Sequence, residues 1–354
     1  MKQKSVLVIL SDPGANNFLL PIASFLQHHN NVKLYASGQF ANYRVNQFPS
    51  LIESYCNNFT SLKDFTPDVV IYGTCEEVNR TTQDMIKNFS NKGVMLIAIV
   101  DSLANIEKRF AGEKNKPLEY APNKLIVPDQ ITRKNFEQLG YPSDQIYILR
   151  NPAVLAAQSL HTDDYKTKYD KKIITFVSER SKGLSECGYR RNSDYTLHGS
   201  GRYEDRTSIV IEEFIRSCDR LVDRSKYWMI LRPHPKQLVQ DFGDYIHWFD
   251  EISNEESTEE IIQRSKLIVG MSTQLLVQSH AAGINTFSIL PRECEKFWLT
   301  ELVDGSIDSA INTEEIDSLM RRNLKEQRKV FTKVNIDVDI DQEIKQLIDD
   351  FNIL

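Results

Sequence analysis

Three basic side chains alternate with two prolines at Arg232-Pro233-His234-Pro235-Lys236, directly after the apolar run 228–231. Proline fixes φ and withholds a backbone donor, so the strand stops here and the basic side chains are held at short spacing on an extended turn. That set suits a phosphate. Arginine can bind two oxygens at once, lysine brings a mobile point charge, and histidine can give a proton or a hydrogen bond to a departing phosphate. The competing reading is a basic loop whose charges are met by nearby carboxylates such as Asp241 or Asp244.

Two other segments also sit where an apolar run ends and a helical pattern begins. At Gly270-Met271-Ser272-Thr273, hydroxyls and backbone N–H groups at the start of a helix make an anion site, aided by the helix dipole. Plain helix capping would use the same residue types. At Ser11-Asp12-Pro13-Gly14-Ala15-Asn16-Asn17, Gly14 permits a sharp turn or a close ligand, and Asp12 can project beyond the strand. No G-x-G-x-x-G is present, so dinucleotide binding loses support, and a capped tight turn is the alternative. Asp101 closes the run 94–100, with Glu107 and Arg109 downstream. A strand-end aspartate can act as a general base, or it can cap the next helix.

Elements that would position these residues are legible as short apolar runs, each followed by a polar turn and a segment with helical spacing, the pattern of a parallel sheet covered by helices. Strands are predicted at 6–10, 32–36, 69–72, 94–100, 124–127 and 146–149. A polar stretch at 159–172 interrupts the series, which resumes with strands at 173–177, 228–231, 267–269 and 286–290. Between them lie helices carrying Ile211, Phe214, Ile215 and Cys218, then Ile261 and Ile262 behind a Ser257/Glu260 capping box, then 274–282 stopped by Gly283. The expectation is an α/β protein of two Rossmann-like, doubly wound domains facing a cleft. Residues 1–152 form the first, 153–172 a linker, 173–312 the second, and 313–354 C-terminal helices with Ile344, Leu347 and Ile348 on one face. In such sheets ligands lie beyond the carboxyl ends of the strands, where every segment named above sits.

At 354 residues the chain suits two domains of roughly 150 to 200 residues. Its 41% hydrophobic and 26% charged content is that of a globular protein rather than a disordered one. A net charge of −6 argues against general nucleic-acid binding, so no nucleic-acid partner is expected and any phosphate site must be local. The run at 6–10 is too short for a signal-peptide core, and no stretch approaches the roughly 20 residues of a membrane span, so the expected location is cytoplasmic. Five scattered cysteines without a C-x-x-C pair suit a reducing compartment and no structural zinc. The acidic run Asp337, Asp339 and Asp341 reads as a solvated helix start, and His28-His29 as the end of a helix, so no metal is assigned.

Two Rossmann-like halves, a His-Pro pair after a strand of the second half and a downstream Ser-Thr strand-to-helix turn together resemble the GT-B glycosyltransferases. More narrowly, they look like bacterial sialyltransferases, polysialyltransferases, and the Kdo and polyol-phosphate transferases, whose His-Pro and Ser/Thr motifs bind the phosphate and nucleotide of a CMP- or CDP-linked donor. The matching positions are His234-Pro235 and Ser272-Thr273. The segments 11–16, 100–102 and 109–110 are similar to bacterial polysaccharide-biosynthesis proteins of the same broad group. The resemblance implies an inverting, metal-independent transferase of capsule or lipopolysaccharide synthesis, with a nucleotide sugar as co-substrate and no further cofactor. It would use a CMP-linked nonulosonate or Kdo-type donor and a glycan, glycolipid or protein acceptor, and would associate peripherally with the inner membrane or a polysaccharide-synthesis complex.

The implied donor contacts are Arg232, His234, Pro235, Lys236, Gly270, Ser272, Thr273, Gln278 and Glu179. The implied acceptor contacts are Gly14, Asn16, Asn17 and Arg109, and the catalytic groups are Asp101 or Asp12 as base with His234 on the leaving phosphate. Two departures stand out. The acidic-acidic-Gly tripeptide that carries the sialyltransferase base is absent, and Gln278 falls near the place where many UDP-sugar enzymes carry a ribose-binding glutamate. A UDP-sugar 2-epimerase, a UDP- or CDP-donor transferase and a silent sugar-nucleotide binding protein are the alternatives. The polar loop 188–205 is read as a lid over the donor or a mobile insertion.

Overall fold

The structure is a computed structural model that describes residues 3–37, 41–42, 44–74, 80–112, 116–160, 170–181, 190–325 and 340–351. The chain divides into two compact units, one of Met1–Ala153 with Ile336–Leu354, the other of Val154–Asn335.

In the first unit, strands β1 (Ser5–Leu10), β2 (Asn31–Ala36), β3 (Tyr55–Cys56), β4 (Val69–Gly73), β5 (Met95–Ile99), β6 (Lys124–Val127) and β7 (Ile146–Ile148) form one parallel sheet in the order β3-β2-β1-β4-β5-β6-β7. Helices α1 (Pro13–Leu26), α2 (Arg80–Asn91) and α3 (Gln130–Gln138) accompany it, and α4 (Pro152–Gln158) starts at the last residues of Met1–Ala153 but belongs mostly to the second unit, where Val154 packs on the core. Along β1 the side chains alternate between two cores, Val6, Val8 and Leu10 in one, Leu7 and Ile9 in the other. Both faces of the strand are therefore dry, which is why its sequence is an unbroken apolar run.

The second unit repeats the plan with β8 (Lys172–Val177), β9 (Tyr227–Arg232), β10 (Glu251–Ile252), β11 (Ser265–Gly270), β12 (Asn285–Ile289) and β13 (Asp308–Ala310), in the parallel order β10-β9-β8-β11-β12-β13. Its helices are α5 (Arg206–Leu221), α6 (Thr258–Arg264), α7 (Gln274–Ala281), α8 (Thr300–Val303) and α9 (Thr313–Lys325). Ile174 and Phe176 enter one core while Ile173 and Val177 enter the other. The Ser257/Glu260 capping box forms as read from the sequence, with Ser257 Oγ accepting from Glu260 N at 3.1 Å and Glu260 Oε2 from Ser257 N at 2.7 Å. Gly283 adopts φ 77°, the left-handed conformation that ends α7.

In each sheet the strand order reverses beside the first strand, between β1 and β4 in one and between β8 and β11 in the other. These are the topological switch points at whose carboxyl side open α/β sheets bind ligands.

Three edge strands, β3, β10 and β13, escape the sequence reading, because two or three residues carry no apolar run. The C-terminal region is not one helical unit. Helix α9 stays with the second unit through Ile316, Leu319 and Met320. The last helix, α10 (Ile340–Asp350), buries Ile344, Leu347 and Ile348, with Phe351, in the β1–α1 core of the first unit. Both helices are amphipathic, and an apolar stripe does not say which core will cover it. Ile348 has 0% exposure. Ile348→Ala is expected to destabilise the first unit by about 2–5 kcal/mol, read from urea unfolding; an unchanged midpoint would place α10 elsewhere.

The loop read as a lid or mobile insertion is anchored where it is described. Arg190 bridges Asp205, Tyr195 and Leu197 lie in the second core, and Thr196 N donates to Pro291 O at 2.8 Å. Residues 188 and 189 fall outside the described residues, as do Cys75, Cys187, Asp337 and Asp339. Cys56, Cys218 and Cys294 are free thiols. Among the described residues no helix is long and apolar enough to cross a membrane.

Candidate functional site

At the first switch point β1 ends at Leu10 and the chain turns through Ser11 and Asp12 into α1. Asp12 is the N-cap, its Oδ1 accepting from Gly14 N at 3.1 Å, so the capping role read as an alternative is filled. From the end of β5, Asp101 reaches over the same turn. A methyl group built on Gly14 would overlap the Asp101 carboxylate and come within 3.5 Å of Asp12 Oδ1. Gly14 is thus required by the approach of a side chain, and two carboxylates flank it.

Asp101 is 8% exposed and pairs with Arg109, Nη1 to Oδ1, at 3.5 Å. The guanidinium is in turn fixed by Ala104 O at 3.1 Å, Thr74 Oγ1 at 3.2 Å and Ser102 Oγ at 2.9 Å. With its side chain 2% exposed, Arg109 has no face to offer an acceptor. Its expected contact role gives way to holding Asp101 in place. Asn16 likewise has 0% exposure and donates to Ala41 O at 2.9 Å, tying α1 to the following loop. Asn17 Oδ1 accepts from Arg44 Nη1 at 2.8 Å.

At the second switch point the His-Pro turn, the end of β8 and the Ser-Thr turn are joined by one chain of hydrogen bonds. Lys236 N donates to His234 Nδ1 at 3.1 Å. An accepting Nδ1 carries no proton, so the imidazole is the tautomer with its hydrogen on Nε2, and Nε2–H is a donor. The backbone N of His234 donates to Gln237 Oε1 at 2.9 Å, and Gln237 Nε2 donates to Glu179 O at 3.0 Å. The Glu179 carboxylate then accepts from the backbone N of Ser272 and, at 3.1 Å, from Ser272 Oγ. Thr273 is the N-cap of α7, and Gln278 is buried within that helix. Gly270 lets β11 pack close, since a Cβ there would stand 3.1 Å from Val177 O.

Arg232 departs from the expected clamp. It is the last residue of β9, it is buried, and its Nη1 donates to Ser253 O at 2.8 Å and Ser253 Oγ at 3.1 Å, tying β9 to the end of β10. Of the three basic residues, His234 and Lys236 stay on the turn, linked through the Lys236 backbone N, and Arg232 is drawn into the sheet. Asp244, read as a partner for the basic loop, pairs with Arg202 at 3.2 Å.

Behind Glu179 lies a group that sequence reasoning missed. Arg206, with 1% exposure, donates through Nη1 to Glu179 at 2.7 Å, through Nε to Glu295 at 2.6 Å and through Nη2 to Ser272 Oγ at 3.1 Å. Glu295 in turn accepts from Arg292 Nε at 2.8 Å. The Arg206 guanidinium stacks 4.9 Å from the Trp298 ring, and Arg292 lies 5.2 Å from that of Tyr195. Burial works against the charge of Arg206, but Glu295 and Glu179 outweigh it and hold the guanidinium above its ordinary range. Burial also pushes the Tyr195 phenol up to about 12. One sequence signal was available. Arg206 occupies the first turn of α5 behind the Asp205 N-cap, where a cation opposes the helix dipole and so calls for anionic partners.

With the fold and these sites in hand, comparison with known proteins places the architecture. No family model matches the chain, and no curated protein matches it. Solved structures do match in fold. UDP-GlcNAc 2-epimerase from Neisseria meningitidis bound to UDP-GlcNAc aligns with a TM-score of 0.61 at 14% identity, over 90% of this chain and 91% of that one. The Anabaena protein HepE in complex with UDP-glucose gives 0.60 at 11% identity, over 98% and 100%. The glycotransferase of kitacinnamycin gives 0.52 at 9% identity, over 99% and 95%. The fold is therefore α/β, two doubly wound parallel-sheet domains of the GT-B type.

Proposed function

We propose that the chain is a nucleotide-sugar enzyme, and specifically an inverting glycosyltransferase whose second unit holds the donor phosphate between His234 and the Ser272-Thr273 turn. The observation that carries this reading is the hydrogen-bond chain from His234 through Gln237 and Glu179 to Ser272, which makes one site of two motifs distant in sequence. In the reaction the acceptor hydroxyl oxygen bonds to the anomeric carbon as the bond from that carbon to the phosphate oxygen breaks. The electron pair leaves with the phosphate, and the acceptor proton passes to a carboxylate base, the role the sequence reading gives to Asp101 or Asp12. His234 Nε2–H donates a hydrogen bond to the phosphate oxygen as charge builds on it, and Lys236 adds a cation.

The His-Pro and Ser/Thr resemblance supports a CMP-linked nonulosonate or Kdo-type donor, a saccharide, glycolipid or protein acceptor, and a place in bacterial surface-glycan synthesis. No cofactor beyond the nucleotide sugar enters this reading. A second reading, 2-epimerisation of a UDP-sugar, is favoured by the bound UDP-GlcNAc of the Neisseria meningitidis enzyme of like fold.

Proton NMR of CMP- and UDP-sugars incubated with the full chain separates the two. An epimer formed without acceptor supports the second reading, whereas consumption only when an acceptor is added supports transfer. In either assay His234→Ala is expected to lower turnover by about 10²-fold or more with the melting temperature preserved. Near-wild-type turnover would remove His234 from the leaving-phosphate position.

A further inference from the structure

The carboxyl ends of four neighbouring strands, β9, β8, β11 and β12, are tied together by side chains that come from different elements. Gln237 joins the turn after β9 to Glu179, the second residue beyond β8. Glu179 joins the turn after β11 through Ser272. Arg206, from the first turn of α5, extends the tie to the segment after β12. Its Nε donates to Glu295 Oε2 at 2.6 Å, while Nη1 serves Glu179 and Nη2 serves Ser272 Oγ. Glu295 is the far end of the tie. Its side chain has 0% exposure, and its other oxygen, Oε1, accepts from Arg292 Nε at 2.8 Å. A carboxylate whose two oxygens are taken by two guanidinium groups cannot turn about its last bond without losing one of them.

We infer that Glu295 is a positioning residue of the nucleotide-sugar site: buried too deeply to meet a ligand, it acts through Arg206, whose fork it aims at Glu179 and Ser272. The inference rests on the reading of the second unit as that site and adds to it a residue from outside the His-Pro and Ser-Thr turns. The guanidinium is planar, so fixing the direction of Nε fixes those of both Nη groups. With Nε held, the two arms reach the Glu179 carboxylate and Ser272 Oγ in set directions, and the carboxylate in turn takes the backbone N of Ser272. Stability alone does not call for this arrangement, because a buried ion pair replaced by apolar residues of like volume is often no less stable. What the charges supply is direction. Glu295→Gln keeps the shape of the side chain, but its amide oxygen can serve one guanidinium while its NH2 group faces the other, so Arg206 or Arg292 loses an acceptor.

The test has two readouts. The amide of Ser272 bonds to the Glu179 carboxylate, so its hydrogen exchange, followed by mass spectrometry on the full chain, reports the positioning without any ligand. In Glu295→Gln the peptide carrying Ser272 is expected to exchange about tenfold faster while β8 and β11 keep their protection. An unchanged Ser272 peptide overturns the inference, and so does protection lost evenly across the second unit, which is the sign of a purely structural role. The second readout is calorimetric titration with CMP, CDP, UMP and UDP. For a nucleotide that the wild type binds, Glu295→Gln is expected to raise Kd about tenfold. In an Arg206→Met background the same substitution is expected to add less than about twofold, because Arg206 is the path it acts through. Losses that add in full mean that Glu295 acts by another route, and they overturn the inference while leaving the nucleotide site standing. Should Arg206→Met not fold, Arg206→Lys, which cannot serve three acceptors at once, replaces it. Should Glu295→Gln not fold, Glu295→Asp, whose shorter reach gives up one guanidinium, is measured with the same expectations. A wild type that binds none of the four nucleotides removes the reading of the second unit, and the inference with it.

Discussion

Asp101→Asn is expected to lower turnover by about 10²- to 10⁴-fold, the range lost when a positioned base is removed, while nucleotide binding by the second unit stays unchanged. The substitution keeps the shape of the side chain and removes its capacity to take a proton. Arg109 fixes the carboxylate from one side, with Ser102, Thr74 and Ala104 O holding the guanidinium. Gly14 leaves the space into which the carboxylate projects. A carboxylate held this way cannot swing aside, and the Asp12 carboxylate on the other side of Gly14 has its Oδ1 engaged in capping α1. Steady-state rates with acceptor saturated, beside a calorimetric nucleotide Kd, read both halves of the expectation. A variant with near-wild-type rate would move the base to another residue, and Asp12→Asn is then the next substitution to measure.

Arg206→Met should destabilise the second unit by about 3 kcal/mol, because removing one partner of a buried ion pair leaves the other charge uncompensated. For a unit of this size that corresponds to a melting temperature lower by roughly 6–12 °C. Glu295 has 0% exposure and would keep only Arg292; Glu179 would lose its guanidinium partner and stay on Ser272 alone. The cost sits at the lower end of the usual range because Arg292 remains. Methionine preserves much of the aliphatic stem, so the loss reports the guanidinium, with its ion pairs and its contact to the Trp298 ring, rather than a cavity. Arg206→Lys retains a cation without the fork that serves three acceptors at once, and it is expected to fall between the two. A methionine variant as stable as the wild type would mean that the four-residue cluster contributes no net stability.

The likeness to epimerase, HepE and glycotransferase structures at 9–14% identity fixes the architecture and no chemistry. Function on a fold shared so widely is decided by the site. That places the weight on Glu179. It was read from the sequence only as one of several donor contacts after a strand, and in the structure it links the His-Pro turn to the Ser-Thr turn.

Strand runs such as 6–10 and 173–177 were legible because a strand dry on both faces must be apolar throughout, and the Ser257/Glu260 box because a capping pair acts over three residues. The His-Pro and Ser-Thr turns were equally visible, since strand ends in a parallel sheet can be located from local pattern alone. What only the tertiary structure decided involves partners far apart in the chain. Arg232 looked like the anchor of a clamp and instead ties β9 to Ser253, across strands. Arg109 was read as an acceptor contact and is buried in an ion pair with Asp101. Arg206 drew no notice, yet it joins Glu179 to Glu295, residues that only the packing of α5 against the strand ends brings together. The last helix showed its apolar stripe plainly, but its destination in the first unit depended on which core had an uncovered face. Periodicity and capping are short-range physics and are written along the chain. The pairing of buried charges and the docking of a stripe depend on sheet order, which the chain acquires only when it folds.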